Sequence, residues 1–162
     1  MDKHVDLLIV GAGISGIGLA AHLTKHCPQR SFEIIERRDS FGGTWDLFKY
    51  PGIRSDSDMS TFGFNFKPWQ QASVLADGSS IKGYLAEVID EQKLKEKIHF
   101  KHRVLSANYD SAQKKWQVVI ENAKGKKENW IANFVFGCTG YYNYDQGYQP
   151  CLLYTSPSPR DS

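Results

Sequence analysis

An apolar run that leads directly into closely spaced glycines constrains this fold more than any other feature of the sequence. Residues 5–10 are the apolar run, and Gly11, Gly13 and Gly16 follow in the pattern G-x-G-x-x-G. The run is typical of a strand buried on both faces of a parallel sheet, and the apolar spacing after it predicts a helix over residues 14–26. In this pattern the first glycine makes a tight turn, the second admits a pyrophosphate and the third lets helix and strand pack closely.

A carboxylate at the end of the second predicted strand supports a dinucleotide site. That strand covers residues 32–36 and ends in Glu36, twenty residues after Gly16. A carboxylate in this position can accept hydrogen bonds from a ribose diol. Its charge argues against a 2'-phosphate in this first site, although Arg37 and Arg38 keep that argument from being decisive. These residues alone leave both FAD and NAD as candidates.

The rest of the sequence predicts one α/β domain. Residues 37–78 lack periodicity and are dense in glycine, proline, aromatic residues and aspartate, which predicts a long ordered loop. The elements predicted after it are a helix over 80–97, a strand over 98–104, a small antiparallel meander over 105–110, 116–121 and 127–131, and a buried strand over 133–136 that ends near Thr139 and Gly140. The predicted fold is a Rossmann-like dinucleotide-binding domain with a parallel sheet and a small antiparallel β-meander insertion.

Composition narrows the function classes. The net charge of +2 gives no field that would attract nucleic acid, and the five histidines lack metal-ligand spacing, so neither a nucleic-acid site nor a metal site is predicted. Three cysteines without disulfide spacing predict a reducing cytoplasm. The apolar stretch over residues 5–23 could suggest a signal peptide, but its four glycines fit a buried strand, turn and helix better.

The last residues do not continue the pattern of the domain. Residues 151–162 read CLLYTSPSPRDS and closely resemble one reading frame of a transposase sequencing adaptor. We therefore expect residues 1–150 to be the natural part of the chain and residues 151–162 to be adaptor read-through. The alternative is a natural linker rich in serine and proline.

Longer motifs carry a family resemblance. The strings GAGISG, GGTWDLFKYPGIRSDSDM and CTGYYNYDQGY, together with the pair Glu36 and Arg37, resemble the flavin-containing and Baeyer-Villiger monooxygenases. The nearest likeness is to the ethionamide-activating monooxygenases of that group. The resemblance covers essentially residues 1–150, and the GGTW and YPGIRSD strings are more specific than the glycine motif. It implies that residues 1–150 are a Rossmann-like FAD-binding domain, the incomplete N-terminal part of a larger enzyme.

The resemblance implies a set of site residues. Asp56 is the candidate catalytic residue, which would sit beside the flavin ring and hold an arginine supplied by a later part of the chain. Arg54 and Ser55 would approach the nicotinamide cofactor, and the backbone of Val104 would lie near the adenine. The full set of candidate cofactor-binding residues is Gly11, Gly13, Ser15, Gly16, Glu36, Arg37, Gly43, Thr44, Trp45, Asp46, Arg54, Ser55, Asp56, Val104, Thr139 and Gly140.

The resemblance also implies an activity. It predicts an enzyme that uses FAD, NADPH and O2 to insert oxygen into ketones or to oxygenate sulfur and nitrogen compounds. Its partners would be a small apolar organic substrate and O2, and such substrates would favour peripheral membrane association of a cytoplasmic enzyme. Most of the NADPH site would lie outside these 162 residues, so the chain alone is expected to be inactive. The alternatives are an FAD-dependent reductase or oxidase of the same fold, and a non-catalytic flavin-binding fragment.

Overall fold

The computed structural model describes residues 2–142. The expectation for residues 151–162, and part of the CTGYYNYDQGY motif, lie outside the described residues.

The described residues form six strands and four α-helices. The strands are β1 (Lys3–Val10), β2 (Phe32–Ile35), β3 (Ile98–His99), β4 (Arg103–Asp110), β5 (Lys115–Glu121) and β6 (Lys127–Gly137). The helices are α1 (Ile14–His26), α2 (Thr44–Leu47), α3 (Met59–Phe62) and α4 (Gly78–Glu91), followed by a 3-10 turn over Lys95–Lys97. The helix predicted over residues 14–26 is found with the predicted bounds.

All six strands belong to one sheet, in the order β3-β2-β1-β6-β5-β4. β1 pairs in parallel with β2 on one side and with β6 on the other, and β2 pairs in parallel with β3. β5 lies antiparallel between β6 and β4. The predicted Rossmann-like α/β fold is confirmed, and its glycine turn lies where the parallel strands β1 and β6 both end.

The antiparallel strands are confirmed, but they extend the main sheet and are not set apart from it. Residues 127–131 and 133–136, predicted as two strands, form the single strand β6, because its first part pairs with β5 and its later part with β1. The strand predicted over residues 98–104 is divided into β3 and the start of β4, with Lys101 at a positive φ of 57° between them. A positive φ lies outside the extended conformation of a strand and is uncommon for residues other than glycine, so the strand is interrupted at Lys101.

Apolar residues on α1 and α4 cover one face of the parallel strands. Leu7, Ile9 and Ile34 from the sheet pack there with Ile17 of α1 and Leu85 of α4. A second cluster is built from strand residues alone, with Trp130 of β6 as its largest fully buried side chain. Burial of this kind is what the continuous apolar runs of β1 and β2 require.

The predicted long loop contains two short helices and is anchored to the body of the domain. An isolated bridge joins Arg54 to Asp77, which precedes α4. The Asp77 carboxylate accepts a hydrogen bond from the backbone N–H of Ser80 at 2.7 Å and so caps α4. α4 therefore begins at Gly78, two residues before the predicted start.

Candidate functional site

A cleft of about 330 Å³ lies at the ends of β1 and β6, and we call it the first cleft. Two glycine-containing segments line it and are in backbone contact with each other, the turn after β1 and the segment from Gly42 to Trp45. Of the predicted site residues, the first cleft contains Gly11, Gly13, Ser15, Glu36, Arg37, Gly43, Thr44, Trp45, Val104, Thr139 and Gly140.

Two glycines of the first turn are dictated by close backbone contacts. Gly11 has a φ of +111°, and a Cβ atom there would lie 2.4 Å from the carbonyl oxygen of Cys138. A Cβ atom at Gly16 would lie 1.9 Å from the carbonyl oxygen of Gly11. Gly16 is therefore a packing residue between helix and turn, and it does not line the cleft.

The start of α1 faces the first cleft and favours an anion. Gly13 precedes the helix and offers no side-chain cap, and the first turn carries no acidic residue. Ile14 and Ser15 of that turn line the cleft. The first N–H groups of a helix lack intrahelical partners and carry about half a positive charge together, so a phosphate is stabilised there without a lysine.

Glu36 is held in a fixed position beside this turn. Glu36 is buried, and its carboxylate accepts hydrogen bonds from the backbone N–H of Ala12 at 2.8 Å and of Arg38 at 2.9 Å. The backbone of Glu36 is bonded as well, since its carbonyl oxygen accepts from the N–H of His102. A carboxylate with two donors already in place keeps its orientation when a ligand arrives.

The segment from Gly42 to Trp45 contacts the first turn through its backbone. The N–H of Gly42 donates to the carbonyl oxygen of Ala12 at 2.9 Å. Trp45 then packs edge to face on Phe62 of α3, with ring centroids 5.7 Å apart. Thr44 and Trp45 thus reach the border between the first cleft and a neighbouring one.

The neighbouring second cleft, of about 430 Å³, contains the predicted nicotinamide-side residues Arg54, Ser55 and Asp56. Ser55 is buried, and its hydroxyl accepts a hydrogen bond from the N–H of Ala76 at 3.2 Å, which makes it an anchor of the loop. Asp56 and Arg54 are exposed on the rim. The aromatic residues of this cleft are Trp45, Phe48, Tyr50, Phe62, Tyr141 and Tyr142.

Asp46 lines neither cleft among the described residues. It is buried, and its carboxylate forms ion pairs with Arg38, at 2.6 Å, and with Lys82 of α4. Burial raises the pKa of Asp46, but the Lys82 hydrogen bond and the charges of Arg38, Lys82 and Lys49 outweigh it and hold the pKa below its usual value.

Some cleft residues are not among the predicted ones. Arg38, His102, Arg103, Cys138 and Tyr142 line the first cleft. Each lies within two residues of a predicted one, so the neighbours of the motif were the available signal. Burial raises the pKa of the Cys138 thiol, which keeps that thiol in its neutral form.

Among residues 2–142, no group of three or more His, Cys, Asp or Glu side chains is placed to hold a metal ion. The described helices are all too short or too polar to cross a bilayer.

The chain is similar to known proteins over most of its length. A family model described as an NAD(P)-binding Rossmann-like domain matches residues 9–77, which include both glycine segments and Glu36. The chain is 77% identical over 150 residues to a probable FAD-binding monooxygenase, AlmA, of Acinetobacter baylyi. It is 53% identical over 150 residues to an FAD-containing monooxygenase, EthA, of Mycolicibacterium smegmatis. Each match covers 93% of this chain and 30% of the relative.

A solved structure gives the same fold. Cyclohexanone monooxygenase from Rhodococcus sp. Phi1 bound to NADP+ superposes with a TM-score of 0.76 at 28% identity, covering 86% of this chain and 26% of that one. This chain spans about 30% of the length of the curated relatives it matches. The predicted resemblance is confirmed: the chain has a Rossmann-like fold and is similar to the N-terminal part of the FAD-containing monooxygenases.

Proposed function

We propose that the chain binds FAD in the first cleft and forms the FAD-binding part of an NADPH- and O2-dependent monooxygenase. The observation that carries the FAD proposal is the buried Glu36 carboxylate, fixed beside the uncapped start of α1. A dinucleotide needs an anion site for its pyrophosphate and an acceptor for its ribose, and these two features supply both. The names of the relatives, FAD-binding and FAD-containing monooxygenase, support the same choice.

The residues of the first cleft fit the ADP half of FAD. Each Glu36 oxygen accepts one backbone hydrogen bond, which leaves lone pairs on both for ribose hydroxyls. Ile14 and Ser15 would hold the pyrophosphate at the start of α1, and Val104 would lie near the adenine. Thr139 and Gly140 line the same cleft after β6 and would help to enclose the bound molecule.

Arg38 supports FAD over a nucleotide that carries a 2'-phosphate. Its guanidinium is already bound to the Asp46 carboxylate and to the carbonyl oxygen of Gly43, at 3.2 Å. A cation engaged in this way offers less to a phosphate, while the nearby Glu36 carboxylate would repel one. These contacts thus argue against a 2'-phosphate at this site, and the choice of FAD over NAD rests on the names of the relatives.

The flavin end would extend along the border of the two clefts. Thr44 and Trp45 line both clefts, so they would hold the part of FAD that passes between them. Arg54 and Ser55 would approach the nicotinamide cofactor, and Asp56 would act beside the flavin ring. When bound, FAD supplies the redox chemistry, with NADPH as reductant and O2 as oxidant, while the protein binds, orients and excludes water.

The substrate class follows from the same family. We propose a small apolar organic substrate, either a ketone or a sulfur or nitrogen compound, for an enzyme of which residues 1–150 form the N-terminal part. The exposed aromatic residues Tyr50 and Tyr141 beside the second cleft are suited to an apolar molecule. We further propose a cytoplasmic location with peripheral membrane association, since apolar substrates partition into bilayers.

Titration of the 162-residue chain with FAD tests the first step, followed by flavin fluorescence. We expect saturable binding, and we expect Glu36→Gln to weaken it by at least about tenfold, because an amide cannot accept from both backbone N–H groups. Glu33→Gln is the matched control: it makes the same change on β2, where Glu33 contacts His99 outside the cleft. Equal affinity of Glu36→Gln and wild type would refute the assigned ribose site.

The FAD-loaded chain should not turn over substrate by itself. We expect no substrate-dependent NADPH oxidation and no incorporation of labelled oxygen from O2, measured by absorbance and mass spectrometry. Coupled turnover by the chain alone would show that residues 1–162 already contain a working catalytic site.

A further inference from the structure

Three charged side chains, Arg38, Asp46 and Lys82, form a cluster next to the Gly42–Trp45 segment, and Asp46 at its centre is buried. Asp46, whose side chain is 7% exposed, pairs with Arg38 on one carboxylate oxygen and with Lys82 on the other. An isolated carboxylate would be strongly disfavoured in such a position, so both cations are needed to keep it charged.

The three side chains come from three different elements. Arg38 follows β2, Asp46 lies in α2, and Lys82 lies in α4. Arg38 makes two further contacts: its guanidinium donates to the carbonyl oxygen of Gly43, and its backbone N–H donates to Glu36. Arg38 thus connects Glu36, the proposed ribose acceptor, to Gly43 in the wall of the first cleft.

Stability alone does not explain why this cluster is ionic. Replacing a buried ion pair with apolar side chains of similar volume is often neutral or stabilising, because both charges lose their hydration on burial. What directed hydrogen bonds provide is a defined position for the backbone they contact. Here that backbone is the segment from Gly42 to Trp45, which lines the cleft.

We propose that Arg38, Asp46 and Lys82 form a clamp that holds the Gly42–Trp45 segment in place against the first turn, so that this wall of the first cleft keeps the shape that FAD requires. Asp46 and Lys82 line neither cleft and would act as positioning residues, without contacting FAD, whereas Arg38 also lines the first cleft. This assigns Asp46 a place behind the cleft wall, where sequence reasoning put it among the residues that touch the cofactor. The inference rests on the proposed FAD function.

Asp46→Asn in the full 162-residue chain tests the clamp. FAD affinity should be measured by flavin fluorescence well below the unfolding temperature. It should fall by about tenfold, the loss seen at metal sites when a residue that orients a ligand is mutated. Hydrogen exchange should become faster at the amides of Trp45 and Leu47, which donate to Gly42 and Gly43. Asp39→Asn removes the same charge from an exposed position nearby and should leave both measurements unchanged.

A double variant separates positioning from stability. Arg38→Met with Asp46→Leu removes the central ion pair and fills its space, so the thermal midpoint should recover toward that of wild type. FAD affinity should stay low, because the bond from Arg38 to Gly43 is gone. If Asp46→Asn does not fold, Lys82→Met provides the milder test, since this lysine is partly exposed and the pair of Arg38 and Asp46 is retained.

The outcomes are distinct. Wild-type affinity in Asp46→Asn, or affinity that recovers with stability in the double variant, would overturn the clamp alone. Failure of the wild-type chain to bind FAD would overturn the proposed function and this inference with it.

Discussion

The β1-α1-β2 unit and the segment from Arg37 to Asp77 are ordered by different interactions. The first is held by apolar burial and by backbone contacts so close that only glycine fits at Gly16. The second is held by polar side chains that reach backbone groups, as Ser55 and Tyr84 do. Regular burial leaves a period in the sequence, whereas single polar anchors leave none. This difference explains why the sequence predicts the elements of the first region, with α1 at the bounds found in the structure, and the second region only as an ordered loop.

The largest effect is expected in the first region. Gly16→Ala should lower the free energy of unfolding by about 3 kcal/mol, because the added Cβ would meet the Gly11 carbonyl oxygen at 1.9 Å and the turn would have to move. Gly83→Ala is the matched control: a Cβ there meets nothing within 4 Å, so the better helix former should stabilise α4 by about 0.5–1 kcal/mol. Urea unfolding measures the change in the free energy of unfolding for both variants. Changes of the same sign in Gly16→Ala and Gly83→Ala would contradict this prediction.

A smaller and more local effect is expected in the second region. Met59 is fully buried in a small cluster with Ala76 and Ile81. Met59→Ala should destabilise this cluster by about 2 kcal/mol and speed hydrogen exchange across the loop, with little change in β1. Met59→Leu keeps the volume and serves as control. Equally faster exchange in β1 would mean that loop and sheet unfold as one unit.

The hydroxyl of Tyr84, a polar anchor of the loop, can be removed with little change in the size of the side chain. The Tyr84 hydroxyl accepts from the N–H of Phe64 at 2.8 Å and donates to the carbonyl oxygen of Lys67 at 2.6 Å. Tyr84→Phe leaves both groups without this partner and should lower the free energy of unfolding by about 1–2 kcal/mol. Tyr109→Phe, at an exposed position of β4, should be neutral in the same denaturation assay. A neutral Tyr84→Phe would show that the anchor is dispensable.

The smallest expected effect concerns the carboxylate that caps α3. Hydrogen bonds from the Ser60 side chain and from the Thr61 backbone and side chain lower the pKa of Asp58 from 3.8 to about 2. Because the pKa is lower in the folded state, the stabilisation is complete above pH 3.8 and is lost as the pH falls toward about 2. NMR titration of the Asp58 carboxyl carbon should give this low value.

Asp58→Asn tests the same point through stability. The variant should lack this part of the acid sensitivity, so the difference in urea midpoint between it and wild type should shrink as the pH falls through that range. Asp39→Asn controls for the loss of one exposed charge. A pH-independent difference between Asp58→Asn and wild type would contradict the assigned cap.

Much of the site could be read from sequence because its parts are local. The glycine turn and Glu36 lie within one strand-helix-strand unit, and their spacing reflects the geometry of that unit. The pairing of Asp46 with Lys82 could not be read in this way, since it joins residues 36 positions apart through side chains alone. The continuous strand β6 was also missed, because its two halves have different partners and therefore different burial patterns.

The position of β6 also has a consequence for the order of events during translation. β1 is made before β6, yet one of its two neighbours is β6, with Lys3 opposite Trp130 and Val10 opposite Gly137. Until β6 has left the ribosome, one edge of this apolar strand has no partner and is open to pairing with other chains. A nascent chain that stalls before Gly137 should therefore be a substrate for chaperones, because β6 is the strand that joins the parallel part of the sheet to β5.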